Sequence, residues 1–599
     1  MNCLIKRYLS ILLVVFAVLQ GWSAKVYNVQ GKSDEIINLP VTAQFKTVEI
    51  PIAITKKYLN PYDADEVKVD LQIKDPFGNE LILPCFYSEE FISVDPEKKQ
   101  LSPSGQTGWL ARFTPSVPGQ YALKVSVSDR EGQREGENYL LQVIRSETSG
   151  FIRKNNKHYF LFDNRTPFFA VGFNVSHPSN DKPLDYDYYF KKFSENGMNY
   201  SRVWLAPPWG PYSLALEWTN QAGSPQSGIH GIMKYNQEVA WRIDQMIHSA
   251  EKNGIYLMLC LGDEREWEES TPANREFWST NPYNKLNGGP VSRSADFFRS
   301  KQAQKIYQNK LRYLIARWSA STSVFSWEFW NEIDHTKWCV DWSLVQNDLV
   351  SWHNLMGNFM SKNDPFQHPV STSFCINNNR PEIWNLASMA YTQVHNYGGG
   401  ENMAEVVVGK AKEFLNQYPD QPLLLSEFGT GWSGISKEND AELTGLHNAI
   451  WASTFCGTAG TAMWWWWTSL DRMNVYPKFK VLSDFVKTIP LLTVSPVTLT
   501  TNSEKVLVLG LTNSRSSWIW VQNRDHNWSN VQHGVIIPSI KKVQITIPGL
   551  PVGNYTIKEL DTNTGNTVRT FSSQCINRKL DIEIDELQRD IAFEIHSLK

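Results

Sequence analysis

The 599-residue sequence has only seven cysteines, and none forms a Cys-x-x-Cys pair or a dense framework. A cysteine-built metal site and a disulfide-stapled small fold are therefore excluded. Cys260, in Leu259-Cys260-Leu261, and Cys456, in Phe455-Cys456-Gly457, read as small buried hydrophobes. One or two disulfides elsewhere stay open. There is no His-Glu-x-x-His, no phosphate-cradling P-loop and no EF-hand loop, and Asp561-Thr-Asn-Thr-Gly565 reads as a turn. No metal and no cofactor is expected. An excess of one charge is lacking as well: 58 Lys and Arg face 61 Asp and Glu, with no long basic run. That excludes the electrostatic footprint of a nucleic-acid binder. Beyond the first residues, no apolar run approaches the ~20 residues of a membrane span.

What is plentiful is aromatic: 24 Trp, 23 Tyr and 29 Phe, 13% in all. So many Trp require large cores, and they suit a protein that handles flat apolar faces such as those of sugar rings. The N-terminus reads as a secretory signal: Lys6 and Arg7, the apolar run Ser10 to Leu19, then the small residues of Gly21-Trp-Ser-Ala24. Cys3 precedes the apolar run, so no lipoprotein site follows it. Residues 1–24 are expected to be removed, leaving a chain with no membrane span in the periplasm or outside the cell.

Residues 25–148 read as all-β. Val67-Lys-Val-Asp-Leu-Gln-Ile73 alternates apolar and polar, Asp75-Pro-Phe-Gly78 is a turn, and Gly108 to Phe113 and Tyr121 to Val127 are strands split by Pro115-Ser-Val-Pro-Gly119. This suits an immunoglobulin-like sandwich. From 149 to 490 apolar runs alternate with helical stretches. The runs are Phe168–Phe173, Tyr200–Leu205, Ile255–Leu261, Val324–Trp330, Val370–Phe374, Ala390–Val394, Leu423–Ser426 and Thr461–Trp465. Helices are expected over Asp185–Asn196, Val239–Asn253 and Phe297–Trp318. Eight buried strands with intervening helices are what a (β/α)₈ barrel requires. A doubly wound open sheet is the rival, but no Gly-x-Gly-x-x-Gly opens it. Residues 491–599 return to β, as a second sandwich. The fold class is thus multidomain: a central α/β TIM barrel flanked by two all-β sandwich domains.

In such a barrel, reactive groups belong at the C-terminal ends of strands. The fourth run ends Trp327-Glu-Phe-Trp-Asn-Glu332 and the seventh Leu425-Ser-Glu-Phe-Gly429. Glu332 and Glu427 would point into one mouth, as a carboxyl pair about 5–5.5 Å apart must in a retaining glycosidase. Glu328, four residues before Glu332, is read as a rival of the ordinary solvated kind.

Asn331-Glu332 and Glu427 in these places resemble the acid/base and nucleophile of the retaining glycoside hydrolase superfamily on a (β/α)₈ barrel, which includes family-five cellulases and mannanases. The resemblance covers about 151–490. It implies that Glu332 and Glu427 are catalytic, that Arg202 in Asn199-Tyr-Ser-Arg202 steadies Glu427, that His395 and Tyr397 flank the carboxylates, and that Asn331 meets the sugar 2-hydroxyl. The Trp464–Trp467 run matches the Trp that floors the first subsite. Strand side chains alternate, so at most two of the four face inward, and Trp465 or Trp466 is the expected platform. Arg202, always cationic, is expected to keep Glu427 ionised.

His177 and Trp204 are further substrate-contact candidates; Trp209, Trp218, Asp263, Glu264, Trp267 and His335 fit a structural role equally well. Trp518, Trp520 and Trp528 give the C-terminal sandwich some platform potential, although alternating Trp in a strand is more often core. The leading expectation is a secreted retaining β-glycoside hydrolase acting on a polysaccharide or oligosaccharide, β-mannan or β-glucan first. The alternatives are an exo-acting glycosidase on another sugar, a non-catalytic carbohydrate-binding protein, and a metal-dependent esterase, for which no His/Asp cluster is present.

Overall fold

The computed structural model describes residues 36–96, 100–155, 158–177, 184–207, 213–218, 230–269, 278–339, 341–431, 440 and 442–598. The expected signal segment and Trp209 lie outside the described residues. Among those described, no helix is long and apolar enough to cross a membrane, and Cys85, Cys260, Cys339, Cys375, Cys456 and Cys575 are all free.

Period-two patterning produces two sheets before residue 145. Val67–Lys74 alternates buried and exposed side chains along its length. It lies in a sheet with Glu80–Pro84, Gly119–Asp129, Gly132–Ile144 and Ile36–Asn38, while Val48–Ile52, Gln100–Phe113 and Phe86–Asp95 make a second. Their facing sides bury Ile50, Val69, Leu71, Leu83, Val125 and Leu141 in one core. Residues 145–150 carry no regular structure, as a connecting segment should.

The middle of the chain forms a parallel circuit. Tyr200–Trp204, Tyr256–Cys260, Val324–Glu328 and Val370–Ser371 pair in order, and Thr392–Tyr397 pairs with Leu423–Gly429. The N–H of Ala390 donates to the Val370 carbonyl, joining the two sets. Parallel bridges Gly172–Tyr200, Phe428–Trp464 and Ala170–Gly460 carry the circuit through the first and last segments and back. Those two segments are thinner than the sequence suggests: in Phe168–Phe173 only Phe168 lies in a strand, and Thr461–Trp465 makes bridges alone. Backbone bonds persist there, from the Thr461 and Met463 N–H groups to the Ala170 and Leu425 carbonyls, and side chains add to them. Asn174 Nδ2 donates to the Ser426 and Met463 carbonyls, and the Thr461 hydroxyl accepts from the Gly172 N–H. Gly172 approaches so closely that a Cβ would lie 2.0 Å from the Tyr200 carbonyl oxygen.

Helices between the segments start and stop where their caps dictate. Tyr186–Glu195 begins at Asp185. Gln237–Asn253 begins at Asn236, which accepts from two N–H groups of the first turn, and ends at Gly254 with φ 67°. The helix expected from Phe297 instead starts at Lys301, because the Ser300 hydroxyl caps it; Ser294–Phe298 is a separate 3₁₀ turn.

Both flanking β regions are tied to this circuit by buried polar groups. Arg112, from the N-terminal sheets, and Arg317 grip Asp244 together, at 2.7–3.1 Å, and Trp318 Nε1 adds a bond of 2.7 Å. At the other end Asp590 accepts from Trp520 Nε1 at 2.7 Å and lies 2.9 Å from His447 Nε2. Trp518 and Trp520 are buried in the same core as the helix Thr444–Phe455, so they cement an interface and offer no platform. Trp528 is half-buried beside them.

Asp244→Ala leaves two buried guanidinium groups short of their shared carboxylate. The expected cost is about 3–5 kcal/mol, measured as a lower urea midpoint; a change under about 1 kcal/mol would show that the network is not holding the two regions together.

Candidate active site

The C-terminal ends of the parallel segments converge on one guanidinium. Arg202 is fully buried, and each of its nitrogens is engaged. Nε and Nη2 donate to the two oxygens of Glu328 at 2.6 and 2.9 Å, Nη1 donates to Glu427 Oε1 at 2.6 Å, and Nη2 also donates to Asn331 Oδ1 at 2.8 Å. Glu328 is thus no solvated rival: it is fully buried and makes a bidentate pair with Arg202. A lone charge inside the apolar run Val324–Trp330 was the signal for it.

Glu427 lies on the strand Leu423–Gly429, in register beside His395 on Thr392–Tyr397. Its second oxygen accepts from the Tyr397 hydroxyl at 2.6 Å. Glu332 sits just past the strand Val324–Glu328, at φ 46°, a left-handed turn uncommon for a residue with a side chain and typical of functional sites. Glu332 Oε1 and His395 Nδ1 share a hydrogen bond of 2.6 Å. Oxygens of Glu332 and Glu427 and a ring nitrogen of His395 all lie within 4.8 Å of one another. The backbone that delivers Asn331 is fixed by its N–H to the Gly262 carbonyl at 2.8 Å. Gly262 must be glycine, since a Cβ would meet the Trp330 ring at 2.3 Å.

Burial and neighbouring negative charge, that of Glu264 above all, push the Glu332 carboxyl up to about 8. Burial also raises the Glu427 carboxyl, against the opposing pull of His395, Arg202 and Tyr397. Arg202 favours the ionised form of Glu427, as expected, but its effect is set against burial, and Glu328 occupies two of the guanidinium nitrogens. Burial lowers His395, against the pull of the neighbouring Glu427 and Glu328 carboxylates.

The aromatic candidates gather on one side. Trp465 is buried, with its ring 5.2 Å from Trp204, 5.9 Å from His177 and 5.2 Å from Trp467. His177 and Trp204 lie 5.2 Å apart, and Trp204 faces the Arg202 guanidinium at 5.6 Å. Trp466 is half-buried at φ 63°, starting the helix Trp467–Arg472, and Trp464 is core. Trp218 and Trp267 are buried. Of the ambiguous acids, Glu264 joins the site through Asn331, whose Nδ2 donates to it at 2.8 Å. His335 lies 4.0 Å from Glu264.

No family model matches the chain. Among curated proteins it is 27% identical over 225 residues to "Probable mannan endo-1,4-beta-mannosidase A-2" of Aspergillus terreus, covering 36% of this chain and 48% of that protein. It is 23% identical over 328 residues to mannan endo-1,4-beta-mannosidase 7 of Arabidopsis thaliana, covering 47% and 68%. The chain thus spans about half the length of the Aspergillus relative. A candidate glycoside hydrolase solved from Bacteroides vulgatus ATCC 8482 has the same fold over 94% of this chain and 100% of its own, with a TM-score of 0.63 and 13% identity. Sequence relatives that are mannanases, and a fold shared with a glycoside hydrolase candidate, agree with the resemblance to the family-five-like barrel hydrolases.

Glu328→Ala strands the Arg202 guanidinium with Glu427 as its one remaining carboxylate partner. The expected loss of stability is about 3–5 kcal/mol by chemical denaturation. An unchanged midpoint would mean that Arg202 does not need this pair.

Proposed function

We propose that this chain is an exported retaining β-glycoside hydrolase, with a catalytic (β/α)₈ barrel over residues 149–490, an immunoglobulin-like sandwich over 25–148, a second sandwich over 491–599 and a signal segment over 1–24. Its substrate is a polysaccharide of β-linked hexoses, with β-mannan first in line because the sequence relatives are named as mannanases. The observation that carries the reading is the proximity of Glu332 and Glu427, within 4.8 Å. That spacing agrees with the ~5–5.5 Å of retaining enzymes and falls short of the ~6.5–9.5 Å of inverting ones.

The surroundings assign the roles. Glu427 receives donors from Arg202 and Tyr397, so its anionic form is the better stabilised of the two. It attacks the anomeric carbon as the glycosidic C–O bond breaks, forming a glycosyl ester. Glu332, held protonated by burial and by Glu264, gives its proton to the leaving oxygen. In the second step Glu332 takes a proton from water, the water oxygen attacks the anomeric carbon, and Glu427 is released. Asn331 donates to the sugar 2-hydroxyl, a contact that strengthens in the transition state. Trp465, with Trp204, His177 and Trp466 around it, offers an aromatic face to the ring.

A panel of β-mannan, β-glucan, xylan and aryl β-glycosides, followed by NMR at early times, is expected to give the β-anomer first from at least one member. First appearance of the α-anomer would overturn the assignment, and no cleavage of any member would favour a carbohydrate-binding protein. Glu427→Ala is expected to lower kcat by about 10⁴-fold or more. Glu332→Ala should lower it by about 10²–10⁴-fold on poor leaving groups and far less on activated aryl glycosides.

Because Glu332 must carry its proton, kcat/KM is expected to fall as pH rises through about 8. A basic limb near the ordinary glutamate range would separate Glu332 from the acid's role.

A further inference from the structure

The scheme above uses Glu264 only as a charge near Glu332, yet its carboxylate is also bonded into the site. It opens the short 3₁₀ turn Glu264–Trp267, which a reciprocal cap holds still: Asp263 accepts from the Arg265 N–H, and Glu266 returns to the Asp263 N–H at 3.0 Å. Its Oε2 accepts from Asn331 Nδ2, while Asn331 Oδ1 accepts from Arg202. The amide is therefore pinned at both ends and cannot flip without losing both bonds. A weaker contact of 3.5 Å runs from the same Nδ2 to Asp263. Glu264 Oε1 lies 3.3 Å from Arg265 Nε and 4.0 Å from His335.

Of the two adjacent acids, Asp263 is driven up by burial. Glu264 lies below its ordinary value, since Arg265, Asp263, His335 and Asn331 outweigh its burial. Arg265 Nε lies 3.3 Å from each acid, and Glu264 neighbours Glu332 past His335, whose ring lies 4.0 Å from Glu264 and within 4.8 Å of a Glu332 oxygen. The other groups facing Glu332 are Asp334 and His335 on its own turn, Arg202, His395 and Glu427 from across the mouth, and Cys375 from the loop after Val370–Ser371.

We propose that Glu264 is a positioning residue of this site. It locks the Asn331 amide in place for the sugar 2-hydroxyl, and its carboxylate, brought near Glu332 past His335, opposes ionisation of Glu332. The inference rests on the hydrolase reading for its consequences in turnover, but not for its electrostatics.

Glu264→Gln keeps the shape and an acceptor oxygen for Asn331 but removes the charge. The basic limb of kcat/KM is expected to move to lower pH by about one unit, with the acid limb in place. Glu264→Leu removes the acceptor as well. A further fall in kcat, on the order of tenfold, is expected on an aryl glycoside with its 2-hydroxyl and not on the 2-deoxy analogue. Uniform losses at every pH and on both substrates would overturn the proposal in favour of a purely structural Glu264. The Glu332 carboxyl is also read directly by ¹³C NMR of carboxyl-labelled glutamate, assigned by difference from Glu332→Gln. A downward shift of its titration in Glu264→Gln supports the coupling even if no substrate is cleaved, which would sink the hydrolase reading alone. An unmoved titration overturns the coupling whatever the activity.

Discussion

A buried guanidinium is the constraint around which the mouth of the parallel circuit is arranged. Arg202 has no solvent to satisfy it, so its N–H groups must find acceptors within the protein. They find Glu328, Glu427 and Asn331, which come from two other segments of the circuit. Fixing one planar fork thereby fixes three side chains relative to one another. Tyr397 and His395 complete the arrangement from a further strand, and each makes a single short bond to one of the two paired carboxyls. Positions set by such a rigid fork need little help from the loops above.

The same logic extends outward. The N-terminal sheets reach the helices behind the circuit through Arg112 and Asp244, and the C-terminal sheet reaches them through Asp590, His447 and Trp520. In each case a polar knot is set within an apolar interface. Apolar surface supplies the attraction, and the knot selects one orientation, because any other would leave a charge buried and unpaired.

Much of this was legible in the residues. The strand Val67–Lys74, the helices ending near Gly197 and at Gly254, and the pairing of Glu332 with Glu427 follow from periodicity, turn residues and strand-end motifs, while Arg202, His395 and Tyr397 are implied by the resemblance to the barrel glycoside hydrolases. What the sequence hid were features that depend on three-dimensional neighbours. Ser300 interrupts a run that reads as one helix, since its cap competes with continuation. Thr461–Trp465 looks like a regular strand, but it makes only separate backbone bonds, to Ala170, Leu425 and Phe428, with side chains of Asn174 and Thr461 added to them. Trp518 and Trp520 look equally able to face solvent or core until a helix is known to cover them. Glu328 stands out as a lone charge in an apolar run, but nothing in linear order says that Arg202 lies across from it.

That last case bears on the chemistry. A guanidinium paired only with Glu427 would make a neutral unit and hold the carboxylate too tightly to attack. With Glu328 taking two of its nitrogens, the Arg202–Glu328–Glu427 unit carries one net negative charge when Glu427 is ionised. In the proposed reaction, the transition state gathers positive charge on the sugar ring. A net negative, water-poor site favours that state over a neutral ground state. In that reading the same surplus makes ionisation of Glu332 costly, in line with its carboxyl being pushed up to about 8. Two chemically identical side chains, within 4.8 Å, are thus set apart by their partners: Arg202 and Tyr397 donate to Glu427, and the charge of Glu264 stands near Glu332.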